Sequence, residues 1–317
     1  MKAVVLAGGH ATRLWPITRD RAKPLLPVNG RPMVDYIVAE LEGREGVDEI
    51  LISTNQKFAD DFEDYLDERD IESAEVLVED QDCEEDKPGT IGAILNIIEE
   101  KGRDDYLIIG GDNLYSFSIS EFLDFAGDKP AVACYDIGSR SEASSFGVID
   151  KDENGLISGF EEKPEEPSSS LVSTACYFFP ADSLDIFSNY EKFFRSSDVP
   201  REKYLDEPGR LLEWAHKRKD IKAFPFNGHW FDVGSREGYL KAHSKLSNNG
   251  RKIEGKVRDS DLKGNVWVME GAEVNNSVLK DCIVFPEARI EDTTVERSIV
   301  DSEATLSGTE VSRSLVG

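Results

Sequence analysis

The chain has 317 residues, with 37 Lys and Arg against 63 Asp and Glu, and a formal net charge of −26 at pH 7. That length can bury a sizeable core in one large domain or two smaller ones. The charge repels nucleic acid and anionic membranes, so neither is expected as a partner. Dispersed carboxylates at this density suit a halophilic source, with an acidic mesophilic protein as the alternative. Cys83, Cys134, Cys176 and Cys282 form no CxxC pair, and the four histidines lack ligand spacing. Free thiols in a reducing compartment are the reading. The first apolar run is too short for a secretory signal, and none reaches the ~18 apolar residues of a membrane helix. A cytoplasmic location is therefore expected.

The apolar run Ala3 to Ala7 reads as a buried strand, and it ends in Gly8-Gly9. Two glycines there permit a tight turn and close backbone approach to a ligand. Arg13, Arg19, Arg21 and Lys23 follow, a basic cluster in an acidic chain. A strand, a glycine turn and fixed cations are the elements of a phosphate site, although Gly8-Gly9 alone is equally an ordinary strand-to-helix turn. Pro32 to Glu42 carries Val34, Ile37, Val38 and Leu41 at helical spacing. Strands are expected at 49–53, 74–78 and 106–109, with helices over 57–69 and from the Pro88-Gly-Thr-Ile-Gly-Ala93 segment to about Lys101. This alternation predicts an α/β fold, a Rossmann-like doubly wound sheet whose ligands lie at the carboxyl ends of its strands. The fourth strand ends in Gly110-Gly-Asp112-Asn.

From Lys129 the pattern changes to strands at 131–135, 146–150, 156–160 and 172–179, which make the sheet mixed. Helices near 181–188 and 209–217, a strand at 221–226 and a helix after Trp230-Phe-Asp-Val-Gly234 complete a domain of residues 1–247. Beyond Ser247-Asn-Asn-Gly-Arg251 the helix signal stops. Aliphatic beats at Val268 and Val274, then Val278, Val284 and Ile290, recur six apart. That period predicts a short left-handed parallel β-helix over 248–317.

The N-terminal loop lacks both the Gly-Lys-Ser/Thr of a P-loop and the GxGxxG of a dinucleotide fold. Gly8-Gly9-His10-Ala11-Thr12-Arg13-Leu14 with Lys23-Pro24-Leu25-Leu26-Pro27 resembles the paired signature of the sugar-1-phosphate nucleotidyltransferases, nearest to the glucose-1-phosphate thymidylyl- and uridylyltransferases with a β-helix tail. Pro88-Gly-Thr-Ile-Gly-Ala93, Gly111-Asp112-Asn113, Phe146-Gly147-Val148, Glu162-Lys163-Pro164 and Trp230-Phe-Asp232-Val-Gly234 continue the resemblance to about residue 246.

The resemblance implies a residue-by-residue site. Leu6, Ala7, Gly8, Gly9, Gln81, Pro88, Gly89 and Thr90 would hold the nucleotide. Gly147, Glu162, Lys163 and Thr174 would hold the sugar-1-phosphate, Thr174 replacing an Asn within Ser173-Thr-Ala-Cys-Tyr177. Asp112 and Asp232 would bind Mg²⁺, and Arg13, Lys23 and Lys163 would act on the phosphates. Trp15 and Trp230 are expected to pack rather than to stack on a base. Chemistry agrees with this reading, because a sugar phosphate is already a nucleophile and the triphosphate needs a hard cation and positive charge. The expected reaction joins UTP or dTTP to glucose-1-phosphate. The alternatives are mannose-1-phosphate guanylyl transfer, a non-catalytic nucleotide-sugar-binding subunit, and a bifunctional enzyme whose tail transfers acetyl groups. The tail's length and its lack of histidine speak against the last. Homo-oligomer contacts through the tail are expected.

Overall fold

The computed structural model describes residues 1–79, 89–196, 200–247 and 250–317, the side chains of 201–203 excepted. The chain divides into two compact units, Met1–Gly8 with Ile37–Trp230, and Gly9–Tyr36 with Phe231–Gly317.

The first unit is built on a nine-stranded mixed sheet. Lys2–Leu6 lies at its centre, parallel to Glu49–Asn55 on one side and Tyr106–Gly110 on the other, with Ala74–Glu79 beyond Glu49–Asn55. Tyr106–Gly110 is wholly buried, as its unbroken apolar run requires of a strand covered on both faces. The long strand Leu171–Phe179 runs antiparallel to it and also pairs with Ala131–Asp136 and Gly147–Lys151. Ile157–Glu162 closes that edge, and Lys222–Phe226 lies parallel to Ala131–Asp136. The doubly wound mixed sheet expected from the sequence is therefore present.

Several elements differ from the sequence reading. A helix at Ile119–Ala126 was not anticipated. Its signals are local: Ser118 accepts from the Ser120 N–H at 3.2 Å, and Gly127 ends the helix at φ 60°. The helix expected near 181–188 begins as a short 3₁₀ turn, Ala181–Ser183, and continues as Asp185–Arg195. Inside Leu171–Phe179 the register slips between Ser173 and Tyr177, and Ala175 takes a left-handed φ of 54°.

The second unit joins the segment Gly9–Tyr36 to the helix Arg236–Leu246 and a parallel β-helix. Facing strands advance by 16 residues per coil, as Glu273, Arg289 and Thr305 show on one face. A second face runs through Asp261, Val278, Thr294 and Glu310, and a third through Ile283, Ile299 and Leu315. The buried beats are Val268, Val274, Leu279, Val284, Ile290, Val295 and Val300. The spacing is thus six, five and five, which corrects the uniform six-residue period. Leu279, not Val278, points into the core.

The segment Gly9–Tyr36 is tied within its own unit by specific contacts. Tyr239 donates its hydroxyl to the Pro27 carbonyl at 2.5 Å, and Asn29 donates to the Leu246 carbonyl at 3.1 Å. The Arg21 guanidinium lies 5.1 Å from the centre of the Phe285 ring, which also neighbours Tyr239. Trp15 is 47% exposed, so the expectation that it packs does not hold.

Phe285 is 1% exposed, so Phe285→Ala removes the ring under Arg21 and leaves a cavity. The expected cost is about 3–5 kcal/mol in urea denaturation of this unit, with faster proteolysis within residues 9–36. Unchanged stability and unchanged cleavage would show that the ring does not anchor the segment.

Candidate nucleotide and sugar site

The first strand delivers its glycine turn to the carboxyl edge of the sheet. Ala7 N–H donates to the Ser53 carbonyl at 2.7 Å, and the Asn55 amide donates to the Gly8 carbonyl at 2.9 Å. Glu79, at the end of its own strand, lies directly over Gly8. A Cβ placed on Gly8 would sit 2.4 Å from Glu79 Oε1. A side chain there would have to push that carboxylate aside, and the Ser53 hydroxyl holds it at 3.0 Å. Sequence reasoning missed Glu79, whose place beside Gly8 depends on pairing of distant strands.

Asp112 follows the next strand of the same edge. Asn113 donates its amide to Asp112 Oδ1 at 2.7 Å and accepts from Trp230 Nε1 at 2.8 Å. Asn113 is 4% exposed, so this buried relay fixes the orientation of one Asp112 oxygen. Trp230 packs edge-on to Phe146 at 5.2 Å between centroids, as expected of a packing residue.

Glu162 and Lys163 end the strand Ile157–Glu162. Two glycines flank the Glu162 carboxylate: a Cβ on Gly209 would meet its oxygen at 1.7 Å, and one on Gly147 would meet the Phe160 ring at 2.5 Å and that oxygen at 2.9 Å. Burial pushes the Glu162 pKa above the usual glutamate value, and the nearby Glu207 adds to the shift, against Lys163 and Arg210. Lys163 takes a left-handed φ of 50° and its Nζ lies 2.6 Å from Glu207 and 3.7 Å from Glu162. Glu207 also pairs with Arg210 at 2.6 Å. Burial works to raise the Glu207 pKa, but these two cations outweigh it and hold the group below its ordinary value. Glu207 and Arg210 have no motif, and only the fold identifies them.

The second unit carries the remaining groups. Lys23 is 8% exposed, and its Nζ lies 4.0 Å from Asp232 Oδ1. A Cβ on Gly234 would meet the Asp232 carboxylate at 2.9 Å and the Arg13 guanidinium at 3.2 Å. Arg13, Lys23 and Asp232 therefore form one group around the Gly234 backbone. Ala11, at φ 47°, starts the 3₁₀ turn that carries Arg13, and Thr18 donates its hydroxyl to the Ala11 carbonyl at 2.9 Å.

Among the described residues, no group of three or more His, Cys, Asp and Glu is arranged to hold a metal. Asp112 and Asp232 each offer hard carboxylate oxygens. Asp112 belongs to the first unit and Asp232 to the second, and each is the kind of oxygen donor that Mg²⁺ takes, one or two carboxylates at a time.

The other expected residues fall as follows. Leu6 ends the central strand, Ala7 is 3% exposed, and Gly9 is open, with no atom within 4 Å of a built Cβ. Gly89 and Thr90 open the helix Gly89–Lys101, with Gly89 at φ 69°. Gln81, Pro88 and Cys83 lie outside the described residues, and Cys134, Cys176 and Cys282 are free and buried. Thr174 is 0% exposed and spends its hydroxyl on the Ala133 carbonyl at 2.9 Å, so it offers no group to a sugar. The left-handed Ala175 takes the place of the glycine in the resembled Asn-Ala-Gly-Ile-Tyr segment. Counting back from it puts Ser173, half-buried, where the Asn would stand. The sequence reading was displaced by one residue.

Two measurements follow from the glycine cradle. Glu162→Gln is expected to lower kcat/KM for the sugar phosphate roughly 10- to 100-fold, the equivalent of one or two charge-assisted hydrogen bonds. Because the Glu162 pKa is raised, the ionised carboxylate is lost on acidification at a higher pH than for an ordinary glutamate. The pH profile should therefore fall on its acid side above the ordinary value of 4.5, and Glu162→Gln should lack that limb. Gly209→Ala should reproduce the KM defect by displacing the same carboxylate, and a wild-type profile for Gly209→Ala would contradict the cradle.

The nucleotidyl transferase family profile matches residues 2–249. Bifunctional protein GlmU of Methanocaldococcus jannaschii is 30% identical over 277 residues, covering 86% of this chain and 61% of that protein. Mannose-1-phosphate guanylyltransferase of Mycobacterium tuberculosis is 27% identical over 283 residues, covering 87% of this chain and 72% of that one. A solved structure described as a glucose-1-phosphate thymidylyltransferase from Bacillus anthracis, in complex with sucrose, aligns with a TM-score of 0.64 and 26% identity. That alignment covers 79% of this chain and 96% of that one. The aligned part of the chain thus spans only 61–62% of the length of two GlmU relatives. No helix among the described residues is long and apolar enough to cross a membrane. Because the profile match takes in more than half of the sequence, from the glycine turn through both aspartates, the chain belongs to the nucleotidyl transferase family.

Proposed function

We propose that the protein joins a nucleoside triphosphate to a sugar-1-phosphate, giving a nucleotide sugar and pyrophosphate. The observation that supports this best is the adjacent Glu162 and Lys163. A carboxylate held between two glycines suits sugar hydroxyls, and a lysine resting 2.6 Å from an exchangeable carboxylate suits a sugar phosphate. Residues 1–247 would form the catalytic domain and 248–317 a tail serving oligomer contacts, in a cytoplasmic enzyme.

In this reading the sugar phosphate displaces Glu207 from Lys163, while Glu162 accepts hydrogen bonds from the sugar hydroxyls. Its phosphate oxygen attacks the α-phosphorus in line, and the bond from the α-phosphorus to the bridging oxygen breaks as the new one forms. Arg13 and Lys23 hold the departing pyrophosphate. Mg²⁺ at Asp112 and Asp232 would supply charge neutralisation of the triphosphate. No side-chain nucleophile is required, so the rate comes from positioning and charge.

UTP or dTTP with glucose-1-phosphate is the first pairing, supported by the likeness to the Bacillus anthracis structure. A guanylyl reading has one observation in its favour, the Glu79 carboxylate over Gly8. An ionised carboxylate only accepts hydrogen bonds. Guanine presents N1–H and N2–H₂ side by side, whereas uracil and thymine present one N–H flanked by two carbonyls that repel the charge.

Pyrophosphate release over a grid of nucleoside triphosphates and sugar-1-phosphates with Mg²⁺ tests the proposal. Turnover with at least one pair is expected, and no turnover with any pair would favour a non-catalytic binding subunit. Glu79→Gln sorts the bases. If GTP is the substrate, the variant should lose about tenfold or more in kcat/KM for GTP, whereas a thymidylyl or uridylyl enzyme should gain or stay level.

A further inference from the structure

A cavity of about 490 Å³ lies within the second unit, between the helix Arg236–Leu246 and one corner of the β-helix. None of the residues assigned above to nucleotide, sugar or metal lines it. Its floor is apolar, with Leu240 and Ile283. Four cations line it (Arg236, Lys241, Arg297 and Arg313) against two carboxylates, Glu237 and Asp281. In a chain of net charge −26, such a concentration of positive charge calls for a cause.

Two buried donors in this lining have no hydrogen-bond partner among the described residues, His243 Nε2 and Arg236 Nε. His243 is 1% exposed and stacks flat on Trp267 at 4.8 Å. Its Nδ1 accepts from the Asn29 backbone N–H at 3.3 Å, which leaves the imidazole proton on Nε2. Burial, helped by Lys252, pushes the His243 pKa down to about 4, so the ring is neutral and Nε2 is a donor. A buried donor without an acceptor costs about 1–3 kcal/mol, which a ligand acceptor would recover.

The β-helix corner adds a second line. Asp281, Arg297 and Arg313 occupy the same turn on successive coils, all left-handed with φ of 47°, 47° and 50°. Left-handed turns recur at the other corners too, as at Asn276 and Asp292 and at Glu287 and Glu303, so what sets this corner apart is that two of its turn residues are arginines. Adjacent strands stack about 5 Å apart, which brings the two guanidinium-bearing turns together, and the Glu296 carboxylate feels both Arg297 and Arg313. Arg297 sits 4.0 Å from Glu296, whose carboxylate already takes Lys280 at 2.8 Å.

We propose that this cavity binds an organic phosphate of about nucleotide size, its phosphate held by Arg236, Arg297, Arg313 and His243 and its body on Leu240 and Ile283. The volume falls in the range of ordinary small-molecule sites. His243 then bridges the ligand on Nε2 and the segment Gly9–Tyr36, through Asn29, on Nδ1. This site stands independently of the reaction proposed above.

The test follows the imidazole ¹⁵N signals of the full chain labelled at histidine, with the His243 signals assigned from His243→Gln. Inorganic phosphate, phenyl phosphate and uridine 5′-monophosphate are titrated against sodium chloride of matched ionic strength. The expected result is a saturable His243 shift, with phenyl phosphate or the nucleotide at least tenfold tighter than inorganic phosphate. Arg297→Ala with Arg313→Ala should weaken it tenfold or more while leaving basal turnover unchanged. Lys241→Ala, on an exposed helical position, serves if that double variant misfolds, and should weaken binding severalfold. Three results would overturn the proposal: no saturable shift with any probe, a shift that survives these variants, or inorganic phosphate binding as tightly as the organic probes.

Discussion

The chain leaves its central strand at Gly8, where the absence of a side chain lets the Glu79 carboxylate lie against the backbone. The space a Cβ would fill holds the Glu79 carboxylate, 2.4 Å away, and that carboxylate is in turn held by Ser53. Three strand ends thereby become one surface: Gly8 by Asn55, Ala7 by Ser53, and Glu79 by Ser53. The next residue, Gly9, begins the segment that belongs to the other unit. One glycine ends the sheet and the next starts the cation-bearing loop, so the two roles of the Gly-Gly pair are distinct.

The cations among the candidate residues are neutralised locally. Lys163 rests on Glu207, and Lys23 lies near Asp232. A strongly acidic protein can hold such cations in place without building an isolated positive patch. A phosphate that enters exchanges one anion for another, which costs less than ordering a free lysine side chain. Glu162 is tuned the other way, since burial between two glycines raises its pKa and makes it sensitive to any added atom at Gly147 or Gly209.

Much of the fold was legible because the signals are local. Wholly apolar runs such as Tyr106–Gly110 mark strands buried on both faces, and Gly43 and Gly102 mark helix ends. The missed helix Ile119–Ala126 had its signal in Ser118 and Gly127, hidden by its shortness. The β-helix was legible as a period near six, but its real six-five-five beat follows from three turns closing a 16-residue coil. Candidate residues inside motifs could be named from the sequence, and the groups that contact them could not. Glu207, Arg210 and Glu79 act through contacts between distant segments that no spacing encodes. Thr174 is a different case: matched letter for letter up to Tyr177, the segment puts Ser173 at the Asn position, and the left-handed Ala175 at the glycine position agrees.

The account's central claim is that positioned charge, without a protein nucleophile, carries nucleotidyl transfer, with Asp112 supplying a metal-binding oxygen that Asn113 aims. Asp112→Asn keeps the shape of that side chain and removes its charge. The account predicts loss of pyrophosphate release by at least about a thousandfold, on the order of 4 kcal/mol, with the melting temperature unchanged. Near-wild-type turnover in the folded variant would contradict it.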